Sequence, residues 1–134
     1  MKYGRLNIII GSIVIVAGGI GGFLLGGTID SLMRDGVYNI TYVRIFLRGS
    51  HTHSLLMAFY NLIFGSIIDS LILSDKAKRI GSVIASCSLL LPVGLGLRGI
   101  TDGSMTFAPV ALTGGVLFII SSFFILIGTL RKKD

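Results

Sequence analysis

The sequence predicts an all-α integral membrane protein, a bundle of four transmembrane helices with both termini on the cytoplasmic side. Three observations lead there. Charged residues make up 13% of the 134 positions and hydrophobic ones 52%, against the roughly 25% charged share of an average soluble domain. The apolar residues gather in four runs, about 6–27, 51–73, 80–97 and 109–130, each of a length suited to crossing a hydrocarbon core of ~30 Å. The cations cluster at the ends of those runs instead of forming a stripe interleaved with aromatics. The net charge of +6 is therefore read as a membrane-surface pattern, with the lipid bilayer and not nucleic acid as the partner. Too few polar residues remain for a separate soluble domain, so residues 1–134 are read as one membrane domain.

Lys2 and Arg5 precede the first run, Leu6 to Leu25, which outlasts the 7–15 apolar residues typical of a signal peptide and is read as a retained span. Gly11, Gly18, Gly22 and Gly26 recur on one helical face, the small-residue pattern that lets two backbones approach closely. A partner helix, within the chain or in a second copy of it, is expected there ahead of a flat cofactor. Residues 28–50 read as a mixed connection with a turn at Asp35-Gly36, its Tyr, Ile and Arg residues suited to the membrane interface. The sequon Asn39-Ile40-Thr41 is too common a pattern to carry weight. The second span is followed by the basic connection Ser74 to Arg79. In the third, Pro92 is expected to kink the helix near Ser88. A turn at Asp102-Gly103 and a helix start at Pro109 introduce the fourth, which runs to Leu130.

Four spans put both termini on one side. Lys2, Arg5, Lys76, Lys78, Arg79, Arg131, Lys132 and Lys133 all fall there, which makes it the cytoplasmic face, with the plasma membrane the expected location. The single Cys87 offers no disulfide framework and, within an apolar run, no reactive thiolate.

The chemistry-bearing residues concentrate at the outer start of the second span, Arg48-Gly49-Ser50-His51-Thr52-His53. Two residues apart on a helix, His51 and His53 point about 200° away from each other, so one metal cannot take both. Zinc needs three or four ligands, and clustered Cys, Glu or further His are absent from the sequence. Haem needs as few as one. His51 shares a face with Leu55, Ala58, Leu62 and Gly65, and His53 with Met57, close to Tyr60 and Asn61. Haem b on a histidine axial ligand is the expectation, against interfacial histidines that are merely solvated. Arg48 and Arg98 are candidate partners for propionates, against ordinary cations reaching the interface. Asp69, about 27 Å along the axis from His51, is expected to form a structural ion pair with Lys76, Lys78 or Arg79. Ser82, Ser86, Cys87 and Ser88 are expected to satisfy hydrogen bonds within helix three.

From His51 onward the chain resembles the styrene-oxide isomerase family, small four-helix membrane enzymes that hold haem b. The resemblance covers roughly residues 46–130 and rests on three stretches: the Arg/His run with the apolar helix after it, Asp75 to Ile84, and Gly103 to Pro109. Counted back without a gap from Asp75-Lys76, the family's axial histidine falls on His51. The resemblance implies a ferric haem acting as Lewis acid on a small apolar epoxide. The family's helper asparagine on helix two and its aspartate and tyrosine on helix three correspond here to Met57, Cys87 and Leu95. Asn61 and Tyr60, one turn deeper, are the candidate catalytic replacements for the asparagine. Helix two alone also resembles the catalytic subunits of haem-copper oxidases and nitric-oxide reductases, where an arginine precedes a histidine-threonine pair. Both resemblances nominate His51. The sequence therefore leaves three functions open: a haem b isomerase, a haem module for electron transfer or gas binding, and a structural membrane protein without cofactor. The haem-binding bundle is expected to assemble as a homo-oligomer, with the glycine face of helix one a candidate for the contact.

Overall fold

The computed structural model describes residues 1–33 and 42–131. The chain is helical throughout its described elements: α1 (Arg5–Met33), α2 (Tyr42–Ile67), α3 (Asp75–Cys87), α4 (Leu90–Ile100) and, after a short 3-10 turn at Met105–Phe107, α5 (Ala108–Leu130). Three stretches are long and apolar enough to cross a membrane: Arg5–Gly27, Asp75–Ile100 and Met105–Leu130. The middle one counts α3 and α4 together. The turn expected at Asp35-Gly36, the interfacial segment through Thr41, the sequon and the cations Arg34, Lys132 and Lys133 lie outside the described residues.

α2 is the hub. Its buried residues include Met57, Ala58, Asn61, Phe64 and Gly65, and it packs against α1, α4 and α3. The core centres on Phe64, Ile68 and Ala85, with Tyr3, Tyr60, Leu71, Leu73, Phe124 and Ile125 around them. Elsewhere the helices present bare apolar surface, such as Ile13, Phe23, Leu112 and Phe123, as a bilayer-facing exterior would.

The run read as the second span is a helix with other boundaries, and it is not one of the three stretches long and apolar enough to cross. α2 starts at Tyr42, nine residues before the run read from the sequence, and ends at Ile67, six residues before it. Tyr42 to Ser50 join the helix because tertiary contacts absorb them. Arg44 is buried with its guanidinium on the carbonyl of Leu25, 3.4 Å away, and Leu47 packs on Gly99. At the other end, Ser66 and Ser70 turn their hydroxyls back onto the carbonyls of Leu62 and Ile67, and Asp69 leaves the helix to meet the backbone of Lys2 and Tyr3 just before α1.

The third span is also longer than read: Asp75 to Arg79, expected as a connection, form the first turn of α3 behind the Ser74 cap, and Arg98 to Ile100, expected in a loop, end α4, so the stretch covers Asp75–Ile100 and not 80–97. Other local features expected from the sequence are present. The third span breaks between α3 and α4 at Ser88-Leu89. Pro92 has no N–H for the carbonyl of Ser88, which accepts from Leu91 instead at 3.0 Å, a tightened turn just before the proline. Asp102 and Gly103 take left-handed conformations, φ 50° and 83°, and Pro109 lies in the first turn of α5. α4 and α5 cross almost backbone to backbone: a Cβ on Gly114 would stand 2.0 Å from the amide nitrogen of Leu91, and one on Gly94 2.3 Å from that of Ala111.

Candidate functional site

The glycine face of α1, read from the sequence as a helix contact within the chain or between copies, meets α2 of the same chain at Gly11, Gly18 and Gly22. A Cβ on Gly4 would meet the carbonyl oxygen of Gly65 at 1.8 Å, and one on Gly11 that of Ala58 at 2.8 Å. Further out the neighbours become side chains: Leu55 against Gly18, and the imidazole of His51 against Gly22, with Cε1 at 2.5 Å and Nε2 at 2.9 Å from a Cβ there. At Gly26 nothing lies within 4 Å. The two helices thus part as they run outward.

Where they part, a cleft of about 480 Å³ opens, lined by Val14, Ala17, Gly18, Gly21, Leu24 and Leu25 from α1 and by Leu47, Ser50, His51 and Ser54 from α2. That volume falls in the ordinary range for small-molecule sites. Its walls are apolar except for His51 and two serines, and the Ser50 hydroxyl already donates to the carbonyl of Pro92 at 2.8 Å. His51 carries the site's unspent polarity, since its Nδ1 is buried with no hydrogen-bond partner. A buried ring nitrogen left unpaired is costly, and a ligand in the cleft is one way to relieve it. The donor set fits a flat, apolar group needing one imidazole. Among the described residues no three His, Cys, Asp or Glu side chains cluster as a metal cage.

His53 turns elsewhere, as its two-residue spacing from His51 requires. Its Nδ1 sits 2.8 Å from the carbonyl of Gly49. With the proton there, Nε2 is the free acceptor, but His53 does not line the cleft. Met57 is buried and also outside it. Arg48 is exposed and is not among the residues that line the cleft. The guanidinium of Arg98 is taken up in the outer loop. Its Nε donates to the carbonyl of Ser104 at 3.2 Å, its Nη2 reaches the carbonyl of Gly103 at 3.3 Å, and it stacks 4.0 Å over the ring of Phe46. The cation beside the cleft that sequence reasoning missed is Arg44, bonded to the carbonyl of Leu25, itself a lining residue. The expected loop over residues 28–50 hid it.

Asn61 and Tyr60 lie deeper, away from His51, in two separate networks. Asn61 is fully buried, donating to the carbonyls of Met57 at 2.9 Å and Ala85 at 3.2 Å and accepting from Asn7 Nδ2 at 2.8 Å. Asn7, also fully buried, additionally donates to the carbonyl of Ser82 and to Ser86, and accepts from the Ser82 hydroxyl. This network ties α1, α2 and α3 together. The Tyr60 hydroxyl bonds Ser121 at 2.7 Å and accepts from Ser122 at 3.3 Å, while its ring meets Phe64 and Phe118. Cys87 is exposed and Leu95 packs near Gly49. Ser82, Ser86 and Ser88 make the hydrogen bonds expected of them; Cys87 does not join them.

The expected ion pair of Asp69 is replaced by a backbone strap. Its carboxylate accepts the amides of Lys2 at 2.8 Å and Tyr3 at 3.0 Å, while Lys78 donates instead to the Asp69 carbonyl at 2.6 Å. Partial desolvation opposes ionisation, but the amides of Tyr3 and Lys2 outweigh it and hold the carboxyl below its usual pKa.

Comparison with family models, with curated proteins and with solved structures returns no match to this chain.

Proposed function

We propose that this chain is a four-span membrane protein of the plasma membrane, with cytoplasmic termini, that binds haem b through His51 in the cleft between α1 and α2. The observation that carries the reading is the buried, unpartnered Nδ1 of His51 on the wall of an apolar cleft. The glycine and alanine side of the cleft would lie against the flat of the macrocycle, and Arg44, bonded to the lining residue Leu25, and the exposed Arg48 would be the cations to meet its carboxylates. When bound, such a group supplies an iron centre whose uses range from electron transfer and gas binding to Lewis-acid activation of an oxygen. The chain's own part is to offer one imidazole, exclude water with Val14, Leu24, Leu25 and Leu47, and admit apolar molecules sideways from the bilayer.

Within this reading a haem-binding module stands ahead of an epoxide isomerase. The cleft lacks the polar groups the isomerase resemblance asks for, since Asn61 and Tyr60 are committed to helix packing and Cys87 and Leu95 lie outside the lining. α2 crosses as the polar span of the four, shielded by its neighbours. A homo-oligomer would use other surface than the glycine face that α2 covers, and the exposed Ile13, Val16, Ile20 stripe of α1 is the candidate.

The test is the visible spectrum of the protein purified after haem supplementation, alongside His51→Ala and His53→Ala. The expected result is a Soret band lost in His51→Ala and retained in His53→Ala. No Soret band in the parent protein would remove the haem reading. Loss only in His53→Ala would move the ligand to the Met57 face. Rapid aldehyde formation from an aryl epoxide would restore the isomerase.

A further inference from the structure

A second cleft, also about 480 Å³, opens at the opposite end of the bundle, lined by Lys2, Tyr3, Asp75, Lys76, Arg79 and Ile80. Three cations face one anion there. Lys2 Nζ reaches Asp75 at 3.0 Å and sits 5.0 Å over the ring of Tyr3, so that pair is internally compensated. Lys76 and Arg79 are exposed and make no ion pair or hydrogen bond with another described residue. Three residues apart on α3, they share one face and leave uncompensated positive charge at the cleft.

The surroundings specify what meets that charge. From the basic rim the two helices continue into the apolar spans. Leu6 and Ile9 on α1 and Ile80 and Val83 on α3 are all at least two-fifths exposed. Between the helices the surface is closed by the Asn7, Ser82 and Ser86 network. Charge at one end, followed by exposed hydrocarbon along the same two helices, matches a molecule with an anionic head and an apolar tail. A free anion would use only the rim.

We propose that this cleft holds the headgroup of an anionic phospholipid, its phosphate on Lys76 and Arg79 and its acyl chains along Leu6, Ile9 and Val83. The site rests on the membrane placement proposed above but not on haem binding.

The probe is phosphatidylglycerol offered to the purified full-length protein in detergent micelles, against phosphatidylcholine of matched acyl chains, with retained lipid counted by native mass spectrometry. Phosphatidylglycerol is expected to be retained at least tenfold better. Each basic residue near a membrane surface contributes a factor of about five, so Lys76→Ala/Arg79→Ala is expected to weaken retention by roughly 25-fold, and Arg131→Ala to leave it unchanged. Both replaced side chains are exposed, and an unchanged elution volume confirms that the double variant folds. Equal retention of the two lipids, or indifference to the double variant, overturns the proposal. So does full displacement of phosphatidylglycerol by inorganic phosphate, which would make the ligand a free anion. Extraction of cell membranes with alkaline carbonate tests the membrane placement separately, and the micelle measurement reads the cleft whatever that outcome.

Discussion

Gly21 and Gly22 separate the two things a ligand cleft needs, space and a ligating group. A Cβ on Gly21 meets nothing within 4 Å, and Gly21 lines the His51 cleft. Gly21→Leu therefore has room for its Cβ, and replacing a helix-interior glycine with a better helix former gains up to about 1 kcal/mol. Its side chain, however, occupies the space a macrocycle would need. Gly22→Ala does the reverse. It leaves the cleft's volume nearly untouched but places a Cβ 2.5 Å from Cε1 of His51, so the ring must retreat by roughly 1 Å to reach ordinary contact distance. Read by Soret absorbance per protein, Gly21→Leu is expected to lose loading while keeping or raising resistance to unfolding in SDS titrations. Gly22→Ala is expected to keep partial loading with a shifted Soret maximum, because the imidazole meets iron at an altered angle. Full loading of Gly21→Leu with an unshifted spectrum would refute the reasoning and place any haem outside this cleft.

Further expectations follow from the packing. Asn7→Ala strands the fully buried Oδ1 of Asn61, whereas Asn61→Ala leaves Asn7 with two acceptors, the carbonyl of Ser82 and the hydroxyl of Ser86. In SDS titrations Asn7→Ala should cost about 1–2 kcal/mol and Asn61→Ala about half that, and equal losses would contradict the network. Gly114→Ala, whose Cβ would stand 2.0 Å from the backbone of Leu91, should cost about 1–3 kcal/mol as an overpacking substitution, and a neutral result would disprove the close α4–α5 crossing. The depressed pKa of Asp69 means that its strap stabilises the fold fully above the unfolded value of about 3.9. That contribution fades as pH falls through the folded value. Asp69→Ala should therefore be less stable than the parent above about pH 5 and converge with it in acid, and a constant gap across the titration would argue against the strap.

Much of this architecture is legible in the sequence because its causes are local. Pro92 removes a donor wherever it sits, Asp102-Gly103 favours left-handed backbone, and glycines at seven- and four-residue steps line one helix face whatever packs on it. What is not legible depends on the partner. Arg44 and Arg48 make residues 42–50 read as a loop by composition, and tertiary contacts such as those with the carbonyl of Leu25, Gly99, the carbonyl of Pro92 and Arg98 make helix the better state. Asp69 stands near three cations in sequence, yet its carboxylate meets amides 66 and 67 positions away. Asn7 did carry a signal, since a lone amide inside an apolar run demands a partner. Asn61, Ser82 and Ser86 are the polar residues of the other apolar helices that could answer it.

The interface between α1 and α2 explains why the cleft lies at the end away from Gly4 and Gly11. Inward, glycine faces backbone at Gly4 and Gly11, and the Asn7 network adds hydrogen bonds that hold in only one register. A rotation of α1 by one residue would swing Asn7 by about 100° and leave the buried Oδ1 of Asn61 without its donor in an apolar setting. That end is pinned by both sterics and polarity. Outward, Leu55 and then His51 stand between the helices as spacers, so the backbones separate although glycine continues on α1. The glycines beyond Gly11 consequently bring concavity instead of contact. Gly18 and Gly21 become wall, Gly22 becomes the platform on which the imidazole rests, and by Gly26 the face meets nothing. A smaller residue at position 51 would let the helices close further out. The histidine thus both holds the two helices apart and supplies the unspent ring nitrogen buried in the cleft's wall, while the inner end fixes the register of α1 on α2.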